Sequence, residues 1–165
     1  MELSIKSITL FSAIFLTGLS AGLFYAWAVS VIPGTKRVPD PVYLQTMQAI
    51  NRAILNPAFF LIFFGSFLLL VMSAIQHIQD GLTFWMLLAA ALTYLTGTVG
   101  VTALGNVPLN NSLDMLEWSE LSMQLLGSTR QQYEVKWNRL HAIRTVFAVL
   151  SFLFSFLGIF THLKI

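Results

Sequence analysis

The chain has 165 residues, of which 56% are hydrophobic and only 10% are charged, whereas soluble domains average about 25% charged residues. This composition indicates that lipid is the main solvent, and the formal net charge of +2 gives no electrostatic footprint for nucleic acid. The absence of cysteine excludes a disulfide framework, a thiolate metal site and a cysteine nucleophile.

Four apolar segments are long enough to cross a hydrocarbon layer of about 30 Å, which needs roughly 20 helical residues. The predicted spans cover about residues 8–32, 57–76, 82–104 and 143–160. The first is too long for a signal-peptide core and is expected to be retained. Asn56 is placed to cap the second span, and Gly105 with Pro108 is expected to end the third. A polar helix that begins near Thr129 precedes the fourth. The sequence therefore predicts an all-α fold, a four-transmembrane-helix bundle that forms one integral membrane domain over residues 1–165.

The connections between these spans differ in length. Only "QHIQDG" joins the second span to the third, whereas the first and third connections are long and lie at the same membrane face. In the first connection, one side of a predicted helix is apolar and the other is polar. The apolar side carries Tyr43, Met47, Ile50 and Ile54, and the polar side carries Gln45, Gln48 and Arg52. We expect interfacial amphipathic helices in both long connections, and a functional site at the face that they share.

The fourth span and the helix before it present one polar side and one bulky apolar side on a helical wheel at about 100° per residue. The polar side consists of Arg130, Glu134, Trp137, His141, Arg144, Ala148, Ser151 and Ser155. The apolar side consists of Ile143, Val146, Leu150, Leu153 and Leu157. His141 and Arg144 are therefore expected to point into the bundle, where a charged side chain indicates function. Alternatively, Arg144 snorkels to the interface, His141 makes a structural hydrogen bond, and Trp137 is an ordinary interfacial aromatic.

Further polar residues lie near the same face. Asn106 and Asn110 follow the third span, where asparagine beside glycine and proline is ordinary turn chemistry. They share one face only if the chain stays helical through Pro108. Asn138 lies beside the polar side of the fourth helix, and Tyr25 near the end of the first span either supplies a phenol to a pocket or packs against its neighbours.

Several chemistries lack their sequence signals. There is no histidine cluster with metal-ligand spacing, no phosphate-cradling glycine loop or dinucleotide fingerprint, and no serine nucleophile elbow. We therefore predict no metal and no organic cofactor.

Four motifs, "GLFYAWAVSVIPG", "MQAINRAILNP", "GNVPLNN" and "WNRLHAIR", together resemble the anthrone oxygenase-like membrane family. The resemblance implies a four-helix integral membrane protein. It also implies chemistry, since fungal members convert anthrones to anthraquinones with molecular oxygen and no conventional organic cofactor. The substrate does not transfer with the fold. The motif positions carried over are Asn51 with Arg52, Asn106 with Asn110, and Trp137, Asn138, His141 and Arg144.

The reaction needs a base for an acidic CH₂ group and donors for the resulting oxyanion. His141, with an unperturbed pKa of about 6.5, is the candidate base, although Arg144 one turn away opposes its protonation unless Glu134 compensates. Arg144 and Asn106 are the other candidate catalytic residues, as oxyanion donors. The candidate substrate-binding residues are Trp137, Asn138, Asn110, Asn51, Arg52 and Tyr25.

Two interpretations stay open. The first is a membrane oxygenase or oxidoreductase that acts on a hydrophobic phenolic, anthrone-like or quinone-like molecule, with molecular oxygen as co-substrate. The second is a non-enzymatic membrane protein that binds a lipid or lipophile, or serves as a subunit of a membrane assembly. Under either one, the expected partners are membrane lipid and a hydrophobic small molecule, without nucleic acid. The chain is expected to be a multi-pass protein, of the cell membrane if bacterial, and a homo-oligomer is left open.

Overall fold

The computed structural model describes residues 4–117 and 122–162, and within these ranges every regular element is helical. Four helices are long and apolar enough to cross a membrane, so the predicted all-α four-helix architecture is confirmed. The helices are α1 (Ile5–Thr35), α2 (Asp40–Ala53), α3 (Pro57–Gln76), α4 (Leu82–Asp114) and α5 (Met123–His162). Each long helix packs against its neighbours in the order α1, α3, α4, α5 and back to α1. The shorter α2 lies at the end of the bundle that carries the two long connections, which we call the loop end.

The cap predicted for the second span is confirmed. Asn56 has extended backbone angles and its Oδ1 accepts a hydrogen bond from the backbone N–H of Phe59 at 3.0 Å, while Pro57 occupies the first helical position. A proline here loses nothing, because its missing N–H would have had no partner inside the helix. These two residues fix the point at which the chain leaves α2 and turns into α3.

The prediction that Gly105 and Pro108 end the third span is wrong. The helix continues to Asp114, because the turn before the proline, Thr102–Asn106, is π-helical. Val107 N donates to Thr102 O across five residues, and this wider turn accommodates the proline that would clash within a regular α-helix. The same device recurs in α1, where the π-helical segment Trp27–Val31 precedes Pro33.

The polar side and the apolar side that we predicted for the fourth span and the helix before it are confirmed in α5. This helix begins at Met123 and not near Thr129. Ser122 supplies the earlier start, because its Oγ accepts from the backbone N–H of Leu125 at 3.3 Å. The buried side includes Trp137, His141, Arg144, Ala148, Ser151 and Ser155. The exposed side includes Ile143, Val146, Leu150, Leu153 and Leu157. The small and polar residues of α5 thus face the other helices, while its bulky aliphatic residues form the outer surface.

Small residues and hydrogen bonds between helices hold the bundle core together, as is usual where lipid surrounds the helices. The Tyr94 hydroxyl lies 2.7 Å from Ser20 Oγ, joining α4 to α1, and Ser151 Oγ donates to Ala90 O at 2.8 Å, joining α5 to α4. Gly97 allows the closest approach, since a Cβ added there would lie 1.9 Å from Cγ of Phe147. At this point the Phe147 ring of α5 packs directly against the backbone of α4 at Gly97.

Gly97→Ala is therefore expected to destabilise the protein by about 1–3 kcal/mol, the usual cost of overpacking, and so to lower its Tm by several degrees. The matched control is Gly22→Ala, because a Cβ at Gly22 meets nothing within 4 Å. Thermal unfolding of both variants in the same detergent measures the difference. A Gly97→Ala protein with the Tm of Gly22→Ala would contradict this account of the α4–α5 contact.

The short helix α2 is folded onto the bundle by its apolar side. Tyr43, Leu44 and Met47 are buried in one cluster with residues of α4 and α5. Gln48, which we placed on the polar side, is also buried, and its Nε2 donates to the carbonyls of Leu113 and Asp114 at 3.3 and 3.2 Å. These carbonyls lie at the C-terminus of α4, where they have no partner within the helix. Gln48 therefore attaches α2 to the last turn of α4.

Arg130 of α5 fixes the connection between α1 and α2. Its Nη1 donates to the Val38 carbonyl at 2.6 Å and to Asp40 Oδ1 at 2.9 Å, and its Nε donates to Glu134 Oε2 at 2.9 Å. The guanidinium also lies over the ring of Tyr43, 4.5 Å from its centre. These contacts hold the start of α2 against the N-terminal part of α5, which precedes Trp137 and His141.

Candidate functional site

A cavity of about 190 Å³ lies at the loop end, between α1, α3, α4, α5 and the end of α2. It is far larger than the roughly 10–15 Å³ that is needed to hold one water molecule. Its apolar wall includes Phe24, Trp27, Phe59, Phe63 and Val99, and its polar wall includes Asn51, Thr102, Asn110, His141 and Arg144. The cavity therefore combines a large aromatic surface with a few polar groups, as small-molecule sites do.

The cavity opens sideways between α3 and α4. These helices pack against each other mainly along Leu82–Thr93, and their contact falls off from Tyr94–Gly100 towards the loop end. The lining residues at the opening are exposed and mostly apolar, namely Leu55, Phe60, Phe64, Ala103 and Val107. In an integral membrane protein such a surface is in contact with acyl chains or headgroup carbons. The opening of the cavity is therefore continuous with the apolar outer surface of the bundle.

Both ring nitrogens of His141 are engaged. Its Nδ1 accepts from Arg144 Nε at 3.1 Å and from Arg144 Nη2 at 3.0 Å, so the proton of the neutral ring lies on Nε2, which donates to the Phe24 carbonyl at 3.0 Å. The ring stacks on Trp137, with 5.0 Å between ring centres and 6° between ring planes. His141 is thus held as a neutral imidazole whose one lone pair is directed at Arg144.

Arg144 is buried at 8% exposure and lies between two aromatic rings. Its guanidinium carbon is 4.7 Å from the ring centre of Phe24 and 5.1 Å from that of Trp137. Its hydrogen-bond partners are His141 and, at 3.5 Å from Nη1, the hydroxyl of Thr102. The head group of Arg144 therefore lies inside the bundle, in the cavity wall, and not on the outer surface, where the head group of a snorkelling arginine would lie.

A second set of hydrogen bonds positions the asparagines. Asn110 Oδ1 accepts from Trp137 Nε1 at 2.9 Å and from the Tyr133 hydroxyl at 3.1 Å, and the same hydroxyl accepts from Asn51 Nδ2 at 3.0 Å. Asn110 therefore has its oxygen committed, and its amide N–H groups have no partner among the described residues. Because Asn110 lines the cavity, these N–H groups are available as donors to a bound molecule.

Four of the predicted site residues lie outside the cavity. Asn106 is buried behind it, where its Nδ2 donates to the Trp137 carbonyl at 3.5 Å. Arg52 is exposed and pairs with Asp114 at 2.5 Å. Asn138 is half-buried beside the polar side of α5, and Tyr25 is 58% exposed on the outside of α1. The structure brings together the other five, His141, Arg144, Trp137, Asn110 and Asn51.

The sequence interpretation missed the residues of α1 that line the cavity, where we had predicted Tyr25. Phe24 and Trp27 of α1 line the cavity one helical turn apart, and Trp27 Nε1 is a buried donor without a partner among the described residues. Phe59, Phe63 and Thr102 were missed as well. Aromatic residues inside an apolar run carry no sequence signal that separates a cavity wall from a lipid-facing surface. The π-helical segment that begins at Trp27 could have been suspected from Pro33.

A family model described as "Anthrone oxygenase" matches residues 45–154, which is more than half of the 165 residues. Comparison with curated proteins and with solved structures gave no match. The matched range contains α3, the whole of α4, most of α2 and the part of α5 that carries Trp137, His141 and Arg144.

Proposed function

The chain belongs to the anthrone oxygenase family, and from this premise we propose that it is a membrane oxygenase of a hydrophobic phenolic, anthrone-like or quinone-like molecule. The observation that carries the proposal is the placing of His141, Arg144 and Asn110 in one wall of a cavity that is otherwise lined mainly by aromatic and aliphatic side chains. The chain crosses the membrane four times, and the substrate reaches the cavity from the lipid between α3 and α4. Molecular oxygen is the co-substrate.

The first step is removal of a proton from the CH₂ group beside the conjugated carbonyl of the substrate. The negative charge moves onto the carbonyl oxygen, for which Arg144 Nη1 and the Asn110 amide of the polar wall serve as donors. Preorganised donors in a site that excludes water stabilise such an oxyanion strongly. The flat ring system lies against Trp27, Phe59 and Phe63 of the aromatic wall, whose faces suit an extended aromatic molecule.

The base is His141, and its availability depends on the substrate. Without a ligand the Nδ1 lone pair accepts from Arg144. When the substrate oxygen takes over the hydrogen bonds of the guanidinium, Nδ1 is released and accepts the proton. The imidazolium that forms is stabilised by its Nε2 hydrogen bond to the Phe24 carbonyl. Arg144 thereby couples binding of the oxyanion to the appearance of the base.

The remaining steps balance without an organic cofactor. The electron-rich anion reduces oxygen and forms a carbon–oxygen bond at the former CH₂ carbon, which gives a peroxide anion. His141 returns its proton to that peroxide. Loss of water then breaks the O–O bond and the remaining C–H bond, so one oxygen atom becomes the new carbonyl and the other leaves as water. The ring system has been oxidised from an anthrone to an anthraquinone.

A second candidate function is favoured by the apolar opening alone. A non-enzymatic protein that binds a membrane lipophile needs the same lipid-facing access, and it needs no proton transfer at His141. The two candidates differ in whether oxygen is consumed.

Oxygen uptake by the purified protein in lipid nanodiscs separates the two candidates, with anthrone as the probe. Uptake and anthraquinone formation are expected above the rate of spontaneous oxidation with anthrone, and none with dihydroanthracene, which lacks the carbonyl that acidifies the CH₂ group. Ala103→Trp, which fills the opening of the cavity, is expected to reduce the rate to background. Leu104→Trp is the matched control, because Leu104 is 85% exposed and does not line the cavity. Uptake no faster than background in the unmodified protein would leave only the binding function.

A further inference from the structure

Arg144 is a buried cation for which the structure provides no anion. Four of the five acidic residues in the described ranges, Asp40, Asp80, Asp114 and Glu134, form ion pairs with other cations, and the fifth, Glu117, is exposed. The groups that contact the guanidinium are the neutral His141, the Thr102 hydroxyl and the rings of Phe24 and Trp137. The cavity wall therefore carries a positive charge that no described side chain neutralises.

Such an arrangement is costly in the absence of a ligand. A buried charge is normally paired, because removing it from water without an opposite charge costs several kcal/mol. The two aromatic faces recover part of this cost through cation–π attraction, and the bonds to His141 recover more. Nη1 remains poorly satisfied, with a single partner at 3.5 Å, and it lies in the wall of the cavity. The group that would complete its environment is an oxyanion inside the cavity.

Two further residues of the wall carry donors without a partner among the described residues. Trp27 Nε1 is buried without a partner in the described residues, and the Asn110 amide N–H groups are left over once its oxygen accepts from Trp137 and Tyr133. Asn51 contributes the side-chain amide oxygen that has no partner among the described residues, since its Nδ2 is bonded to Tyr133. A cation and the N–H donors of Trp27 and Asn110 thus face a cavity whose other lining is mainly aromatic and aliphatic.

We propose that the cavity selects the anionic form of an aromatic lipophile, a phenolate, enolate or carboxylate on a flat ring system, over a neutral or cationic molecule of the same shape. This inference rests on the proposed function for the identity of the cavity, and it deepens that function by naming the oxyanion, which forms when His141 removes the proton, as the species that the cavity holds most tightly. Arg144 is the residue that makes the distinction. The ring stack of His141 on Trp137, with Trp27 5.9 Å from Trp137, favours a flat anion over a fatty-acid chain.

Binding to nanodisc-embedded protein tests this without any reaction with oxygen. The probes are anthracene carboxylate and anthracene carboxamide, which have nearly the same shape and differ in charge, and empty nanodiscs correct for partition into lipid. Fluorescence anisotropy of the probes is expected to show the carboxylate bound about tenfold more tightly or better, a difference of about 1.4 kcal/mol. Equal affinity for the two probes in the unmodified protein would overturn the inference.

Two variants assign the preference to its residue. Arg144→Gln is expected to bind both probes equally, and its retained carboxamide binding shows that the cavity is still formed. Arg139→Gln, an exposed arginine on the same helix, is expected to keep the preference. A preference that persists in Arg144→Gln would also overturn the inference. Anion preference without oxygen uptake would remove only the proposed function, whereas oxygen uptake without anion preference would remove only this inference.

Discussion

His141→Ala is expected to lower the rate of anthrone-dependent oxygen uptake by about two to four orders of magnitude, the usual contribution of a positioned general base. The imidazole is the titratable group of the cavity wall that has a lone pair directed into a hydrogen bond which a substrate oxyanion can displace. Alanine removes this acceptor and also the Nε2 donor to the Phe24 carbonyl. The measurement is initial oxygen consumption at saturating anthrone in nanodiscs.

A structural effect of the same substitution has to be separated from a chemical one. Arg139→Ala, a substitution on the exposed side of the same helix turn, is the control for expression and stability and is expected to keep the full rate. Added imidazole is expected to restore part of the activity of His141→Ala, because it can replace a missing base but cannot repair a collapsed cavity. Unchanged oxygen uptake in His141→Ala would remove this residue from the mechanism.

The placing of His141 and Arg144 could be predicted from sequence because α5 has two chemically distinct sides. The small residues Ala148, Ser151 and Ser155 continue the polar side into the apolar run. The periodicity of an α-helix then places His141 and Arg144 on the same side as these small residues. In a regular helix, the spacing of two residues in the sequence determines the angle between their side chains around the helix axis. This holds for α5, whose interior has no proline and no π-helical turn in the described residues.

The side-chain directions in α1 and α4 could not be predicted as well, because the geometry of both helices is irregular at the site. A π-helical turn rotates every later residue relative to the wheel, so the direction of Asn106 or Asn110 could not be obtained by counting at 100° per residue. Both turns precede a proline, and both contribute to the cavity, through Trp27 and Thr102. Such turns occur often at functional positions. Here they extend two helices beyond their prolines and bring Asn110 to Trp137.

The choice between neighbouring aromatic residues was also beyond the sequence. Tyr25 has a phenol and suggested a pocket residue, yet Phe24 is buried against His141 with 6.0 Å between ring centres, and Tyr25 is on the outer surface. A difference of one position turns a side chain by about 100°. Tyr133 was missed for a different reason. Its role depends on hydrogen bonds to Asn51 and Asn110, and these residues lie far from it in the sequence.

Arg144→Lys is expected to lower the rate of oxygen uptake by about two orders of magnitude although it keeps the positive charge. The guanidinium makes two bonds to one acceptor, His141 Nδ1, while its flat surface lies against Phe24 and Trp137. An ammonium group has neither the fork nor the flat surface, so it cannot reproduce this arrangement. A hundredfold lower rate corresponds to a loss of about 2.7 kcal/mol of transition-state stabilisation. Because lysine keeps the positive charge, this loss would be due to the geometry of the guanidinium.

Arg144→Lys, measured for both anion binding and oxygen uptake, separates the effect of the positive charge from the effect of the guanidinium geometry. Arg144→Lys is expected to retain much of the preference for anthracene carboxylate, because that preference depends on charge, while losing the rate, which depends on releasing His141 Nδ1 when the substrate oxygen binds. Added guanidinium is expected to raise the rate of Arg144→Ala and to leave Arg144→Lys unchanged, since the lysine already fills the position. Full activity in Arg144→Lys would mean that the fork between Arg144 and His141 has no part in the reaction, and the coupling of oxyanion binding to the base would have to be abandoned.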